Sequence, residues 1–173
     1  MNITQFWIKA LLILINNKNI IITGAAGFIG FHVSLRLIKE GYQIIAIDNL
    51  NKSYDIKLKK ERLKILLKEG NNSLKFYKYD IENKNYLREL FLKYSPSVVI
   101  NLAAQAGVRN SIINPDIFIK SNILGFYNII ECCREFKVEN FIYASSSSVY
   151  GNNKKIPFSE EDFVDHPVSL YAA

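Results

Sequence analysis

Three glycines set the first chemistry this chain can do. Gly24, Gly27 and Gly30 are spaced GxxGxxG, directly after the β-branched run Ile20 to Thr23 and at the head of a helical pattern that begins with Phe28 and Ile29. At such a strand-to-helix turn the missing side chains let a diphosphate reach backbone N–H groups at the positive end of the helix. Asp48 closes the next β-branched run, 18 residues after Gly30, with Asn49 beside it. A carboxylate there can accept hydrogen bonds from both ribose hydroxyls of an adenosine. It would repel a 2′-phosphate, so the pattern favours NAD over NADP, with nearby Lys52 pulling the other way. Two further segments, Tyr79-Asp80-Ile81 and Asn101-Leu102-Ala103-Ala104-Gln105, follow the third and fourth β-type runs, on the side of a parallel sheet where ligands collect. Asp80 can bond the adenine amino group, and small Ala103 and Ala104 can make room for a cofactor. Taken singly, an acid in that position is more often a helix cap, and small residues more often ease packing.

The elements that must position these groups follow from period and punctuation. Short β-branched runs fall at Ile20 to Thr23, Gln43 to Ile47, Leu74 to Tyr79, Val98 to Leu102 and Phe141 to Ala144. Amphipathic patterns lie between them near 28–40, 55–69, 83–93 and 116–136. Continuous apolar strands alternating with helices predict an α/β fold, a doubly wound parallel sheet of Rossmann-like type with strand order 3-2-1-4-5. From 145 to 170 the periodicity fails, and the stretch reads as a long loop.

Bulk composition narrows the class. With 173 residues the chain is one domain's worth of material, able to bury about 70% of its unfolded surface. Its 49% hydrophobic and 22% charged residues are ordinary for a globular protein. The net charge of +6 includes a denser run at Lys57, Lys59, Lys60, Arg62 and Lys64. Leucines at 58, 63, 66 and 67 accompany it, so it reads as a solvated helix face rather than a nucleic-acid patch. The two cysteines, Cys132 and Cys133, are neighbours on a predicted helix, point to different faces and form no disulfide framework or zinc spacing. They read as small buried apolar groups in a reducing, cytoplasmic setting, and no metal site is expected. Residues 1–18 form an N-terminal extension of uncertain role. Its apolar run Phe6 to Ile15 is broken only by Lys9 and is shorter than the roughly 20 residues a bilayer needs, so no stable membrane insertion is expected.

Longer phrases carry a resemblance. Gly24 to Gly30, Asn101-Leu-Ala-Ala-Gln-Ala-Gly-Val-Arg109, Tyr143-Ala-Ser-Ser-Ser-Ser-Val-Tyr-Gly151 and Asp165-His-Pro-Val-Ser-Leu-Tyr-Ala-Ala173 resemble, as a set, the extended short-chain dehydrogenase/reductase family in its NAD-dependent epimerase/dehydratase branch. The likeness runs from about Asn19 to the last residue. It implies that residues 19–173 form an NAD-binding domain and that the substrate is a UDP-sugar, of the UDP-glucuronate type. It places Tyr171 on the family's catalytic tyrosine, first member of a YxxxK motif, and Ser146 on the Ser/Thr that bonds the reacting sugar hydroxyl. It sets Asn122 near the active-site helix, and Ser147, Ser148 and Arg109 near the sugar. The implied chemistry is 4-epimerisation: the tyrosinate takes the O4 proton, hydride passes from C4 to NAD, and the transient 4-keto sugar takes it back on its other face.

The serines separate branches within that resemblance. Dehydratases carry an acidic pair and decarboxylases a Glu where this chain has Ser147 and Ser148, so epimerisation is favoured over those alternatives. A free phenol has a pKa near 10, a handicap of roughly 4 kcal/mol at neutral pH that a nearby ammonium and a positive nicotinamide ring remove. The lysine expected of YxxxK would fall two positions beyond Ala173. The chain therefore reads as truncated after the fifth strand, with the carboxyl-terminal substrate region absent. The competing expectation is an inactive NAD-binding remnant or one part of a split protein, with an exposed fifth strand and weak stability. Full-length members pair through helices that include the tyrosine helix, so a homodimer is expected less of this chain than of them, and no nucleic-acid partner is expected.

Overall fold

The structure, a computed structural model, describes residues 19–173. The extension 1–18, with its apolar run, lies outside the described residues. Five parallel strands form one sheet: β1 (Asn19–Thr23), β2 (Gln43–Ile47), β3 (Leu74–Tyr77), β4 (Val98–Asn101) and β5 (Asn140–Tyr143). Their order is β3-β2-β1-β4-β5, as the alternating pattern predicts. β1 lies between β2 and β4, with Ile20 opposite Ile44 on one side and Val98 on the other.

Period-two alternation sorts the strand residues between two cores. Ile20, Ile22, Ile44 and Ala46 face α1 (Phe28–Lys39) and α2 (Ile56–Gly70), where Phe31, Leu37, Ile38 and Leu66 pack on them. Ile21, Ile45, Ile47 and Val99 face the other way, onto α3 (Lys84–Tyr94) and, further along the chain, Phe126–Glu135. A strand buried on both faces needs no polar alternation, which is why Ile20-Ile21-Ile22 is an unbroken apolar run.

Three expectations need correction. Residues Val108–Ile113 form a short helix, α4, inside what reads as a connection. The single pattern over 116–136 is instead a composite: α5 (Pro115–Phe118), a wide π-type turn over Ile119–Gly125, then α6 (Phe126–Glu135). Gly125 explains part of this, since a Cβ on it would stand 2.6 Å from Ile81 Cγ1, so the wide turn packs directly against the β3–α3 connection. The third concerns the basic run on α2. Lys59 is buried, because positions 59, 63, 66 and 70 share the inward stripe of that helix. The strand ends also shift by one or two residues; β3 stops at Tyr77 and β4 at Asn101. The long 145–170 stretch contains one short 3₁₀ turn, Ser147–Tyr150.

Cys132 and Cys133 are free thiols in the core of α6. Burial pushes them up to about 11 and about 12 from a usual value of 9.0. A raised thiol value makes the native state hold protons that the unfolded chain releases above pH 9, so this contribution to stability is complete below that pH and fades as pH rises toward the native values. The urea midpoint is expected to fall between about pH 8.5 and 10.5, and a Cys132→Ala, Cys133→Ala double variant is expected to show a shallower fall over the same range. Parallel slopes in the two proteins would contradict this.

Candidate functional site

The carboxyl ends of β1, β2, β3 and β4 open into a cleft of about 260 Å³. Its centre is the turn between β1 and α1. Gly24 sits at φ +67°, and a Cβ there would stand 2.7 Å from the carbonyl of Leu102, so the β1 turn lies against the β4 turn backbone to backbone. At Gly30 a side chain would collide with the Gly24 carbonyl oxygen. The glycine spacing therefore serves close packing as much as ligand access. Helix α1 begins after Gly27 with no side-chain cap and no acid in its first turn. Its leading N–H groups, at Phe28, Ile29 and Gly30, are thus left for an anion, while the Phe28 and Ile29 side chains point outward and are exposed.

Thr23 holds this arrangement from below. Its hydroxyl accepts from the N–H groups of Leu102 (3.2 Å) and Ala103 (3.1 Å) and donates to Asn101 Oδ1 (2.6 Å). All three partners belong to β4 or its turn, so one buried hydroxyl sets the height of the Leu102 to Gln105 segment relative to the glycines.

Asp48 joins two turns. Its Oδ2 accepts the Ala26 N–H at 3.0 Å, inside the glycine turn, and its Oδ1 accepts the Leu50 N–H at 2.8 Å. Each carboxylate oxygen keeps a lone pair that a hydroxyl can use. Asn49 donates from Nδ2 to Asp80 Oδ2 at 2.9 Å, while Asp80 Oδ1 accepts the Glu82 N–H at 3.0 Å. Asp80 thus faces the cleft and closes a turn with Glu82, whereas the cap of α3 is Asn83, whose Oδ1 accepts the Tyr86 N–H at 3.3 Å. Burial, aided by Asp80, pushes the Glu82 carboxyl above its usual range.

The structure brings Gly24, Gly27, Asp48, Asn49, Asp80 and Ile81 to the cleft together with Leu102, Ala103, Ala104 and Gln105. Phe28, Ile29 and Gly30 open α1 at the central turn, and the candidates from later in the chain lie elsewhere. Asn122, on the wide turn, grips Gln105 by its backbone, accepting the Gln105 N–H (2.8 Å) and donating to its carbonyl (2.9 Å). It acts on the cleft wall through Gln105 and is not part of the lining. Arg109 is exposed on α4. Ser146 Oγ accepts the Ser148 N–H at 3.2 Å and lies 3.3 Å from Ser148 Oγ, so Ser146, Ser147 and Ser148 form a compact turn. Tyr171 packs edge-on against Phe118, ring centres 6.0 Å apart. Among the described residues no hydrogen bond joins Ser146 to Tyr171.

Sequence reasoning missed Thr23, Asn51, Ser53, Tyr54 and Lys59. For Lys59 the signal was present: it keeps helical step with Leu63, Leu66 and Gly70. The loop residues 51, 53 and 54 carry no spacing signature. Among the described residues no group of His, Cys, Asp and Glu could hold a metal ion, and no helix is long and apolar enough to cross a membrane.

The parallel 3-2-1-4-5 sheet, with a glycine turn where β1 leaves between its neighbours, defines a Rossmann-like domain. More specifically, the chain belongs to the NAD-dependent epimerase/dehydratase family: the family model described as GDP-mannose 4,6 dehydratase matches residues 21–173. It is 54% identical over 154 residues to Protein CapI of Staphylococcus aureus, covering 89% of this chain and 45% of that protein. It is 46% identical over 153 residues to UDP-glucuronate 4-epimerase of Thermodesulfobacterium geofontis, covering 88% of this chain and 46% of that protein. A crystal structure of a UDP-glucuronic acid 4-epimerase mutant from Bacillus cereus, in complex with UDP-4-deoxy-4-fluoro-glucuronic acid and NAD, superposes with a TM-score of 0.77 at 33% identity, over 89% of this chain and 48% of that one. The chain thus spans about half the length of the relatives it matches.

Replacing Thr23 by Val keeps the shape but removes the hydroxyl, leaving the Ala103 N–H without an acceptor and Asn101 Oδ1 without its donor. A loss of about 1–3 kcal/mol is expected in urea unfolding. Thr23→Ser, which keeps the hydroxyl, is expected to retain most of the stability; a Thr23→Val variant as stable as the wild type, or a Ser variant that loses as much as the Val variant, would contradict the hydroxyl as the main anchor.

Proposed function

We propose that this chain provides the NAD-binding part of a nucleotide-sugar 4-epimerase acting on UDP-glucuronate. The observation that carries the cofactor reading is the tie from Asp48 to the Ala26 N–H. It sets a carboxylate with open lone pairs directly beside the uncapped start of α1, so one ligand can present a ribose to the first and a diphosphate to the second. Gly24, Gly27, Gly30 and the backbone at Phe28 and Ile29 would hold the diphosphate. Asp48 and Asn49 would hold the adenosine ribose, Asp80 and Ile81 the adenine, and Leu102 to Gln105, braced by Asn122, the far side. The family and the UDP-glucuronate 4-epimerases among its relatives support the substrate assignment.

NAD held in the cleft would supply a reversible hydride acceptor. Four roles are assigned to the chain's own side chains. The Tyr171 hydroxyl is assigned to the proton at the sugar O4, and the Ser146 hydroxyl to orientation of that oxygen. Ser147 and Ser148 line the sugar side with hydroxyls that neither add nor remove a proton at carbon, which favours epimerisation over dehydration or decarboxylation. Arg109 is assigned to the anionic part of the substrate, a carboxylate or diphosphate.

Calorimetry on the purified chain is expected to show NAD binding, and Asp48→Asn, which keeps the shape but discards the charge, is expected to weaken it by about tenfold. An absence of NAD binding would overturn the reading. Incubation with UDP-glucuronate and NAD, followed by chromatographic separation of UDP-glucuronate from UDP-galacturonate, tests the activity separately: conversion supports the epimerase assignment, and NAD binding without conversion restricts the function of this chain to holding the nucleotide.

A further inference from the structure

Lys59 is a buried cation in the wall of the same cleft. Its ammonium donates to Asn51 Oδ1 at 2.7 Å and lies over the Tyr54 ring, 5.0 Å from the centroid. It stands 3.9 Å from Asp48 Oδ1, with both side chains more than nine-tenths buried. Direct hydrogen bonds between nitrogen and carboxylate oxygen are about 2.7–2.9 Å long, so this pair is held apart rather than closed. A single hydroxyl oxygen fits that separation, at hydrogen-bond distance from both, accepting from the ammonium and donating to the carboxylate. An ammonium has three N–H donors and no acceptor; Asn51 takes one.

Burying an ammonium is costly, and burial pulls Lys59 below the usual lysine range while Asp48 opposes the shift. A solvated lysine at this position would carry no such cost, and a leucine would complete the apolar stripe with Leu63 and Leu66. Asn51 is itself pinned, since its Oδ1 also accepts from Ser53 Oγ at 2.6 Å. The loop between β2 and α2 therefore fixes the ammonium instead of letting it swing to solvent.

We propose that Lys59 is a ribose-reading residue: with Asp48 it brackets the 2′-hydroxyl of the adenosine ribose, so that the site recognises that hydroxyl as donor and acceptor at once. This rests on the NAD reading above and adds a specificity determinant to it. Asp48 alone would need only the hydroxyl's proton; the Asp48 and Lys59 pair needs its lone pair as well. Loss of the 2′-oxygen then leaves two buried charged groups each short of a partner.

The experiment compares ADP with 2′-deoxy-ADP by calorimetry on the wild-type chain and on Lys59→Met, which keeps the stem and removes the ammonium. The wild type is expected to prefer ADP by roughly tenfold. In Lys59→Met the preference is expected to shrink to less than about threefold, with 2′-deoxy-ADP affinity held within about twofold, and Lys59→Arg is expected to restore most of the preference. Unchanged 2′-deoxy-ADP affinity also shows that the pocket is intact; if the Met variant does not fold, Lys59→Gln is read in the same way. Equal loss of both ligands, or an unchanged ratio, overturns the proposal and makes the pair structural. A wild-type chain that binds ADP and 2′-deoxy-ADP equally overturns it while leaving the NAD reading intact. A wild-type chain that binds neither NAD nor ADP overturns both.

Discussion

Everything in the cleft is placed relative to one contact, the backbone of Gly24 against the backbone of Leu102. β1 has neighbours on both sides, and the chain leaving it turns toward α1 while the chain leaving β4 runs toward α4. Two turns that diverge from adjacent strands open a crevice between them. They can stay close at its base only if no side chain separates them, and the polar groups trapped there must be satisfied. Gly24 meets the first condition and the Thr23 hydroxyl meets the second. The position of the cleft is thus a property of the sheet's topology, and its depth is a property of two residues.

From that base the walls are built by side chains reaching between loops rather than along them. Asp48 spans from β2 to the glycine turn, Asn49 reaches Asp80 beyond β3, and Asn122 reaches Gln105 beyond β4. Asp48 and Asn49 use capacity left over from their own turns, whereas Asn122 spends both ends of its amide on Gln105. The wide turn in the helix carrying Asn122 belongs to the same logic. It adds length where Gly125 lies flat against Ile81, which lets the amide meet both backbone groups of Gln105 without loosening the apolar face of Ile129 and Cys132 below.

The sheet and its order were legible in the sequence because β-branched runs such as Ile20 to Thr23 and Val98 to Asn101 carry their burial in their own composition. The glycine turn and Asp48 were legible because their spacing from strand to helix to strand is fixed by geometry. What was not legible has a common cause. Lys59 keeps helical step with the inward leucines, but a lysine on a helix is normally solvated, and what makes its burial tolerable is a carboxylate 11 positions earlier in the chain. Asn122 was placed near the active site, yet its partner, a backbone 17 positions away, is set by tertiary packing alone. The short helix Val108–Ile113 has too few turns to display a period. Composition reveals elements that are stable by themselves and hides groups whose environment is supplied by another loop.

The ion pair under the cleft has a consequence for how this fold tolerates change. Paired charges removed from water are commonly matched or surpassed in stability by apolar residues of similar volume. A search that rewarded only thermal robustness would therefore drift toward a greasy residue at Lys59, while Asp48 would be kept for the Ala26 and Leu50 N–H groups that it holds. Ruggedness and a charged cleft wall are separable here at Lys59, so a hardened version of this domain and one that keeps its buried cation need not be the same protein.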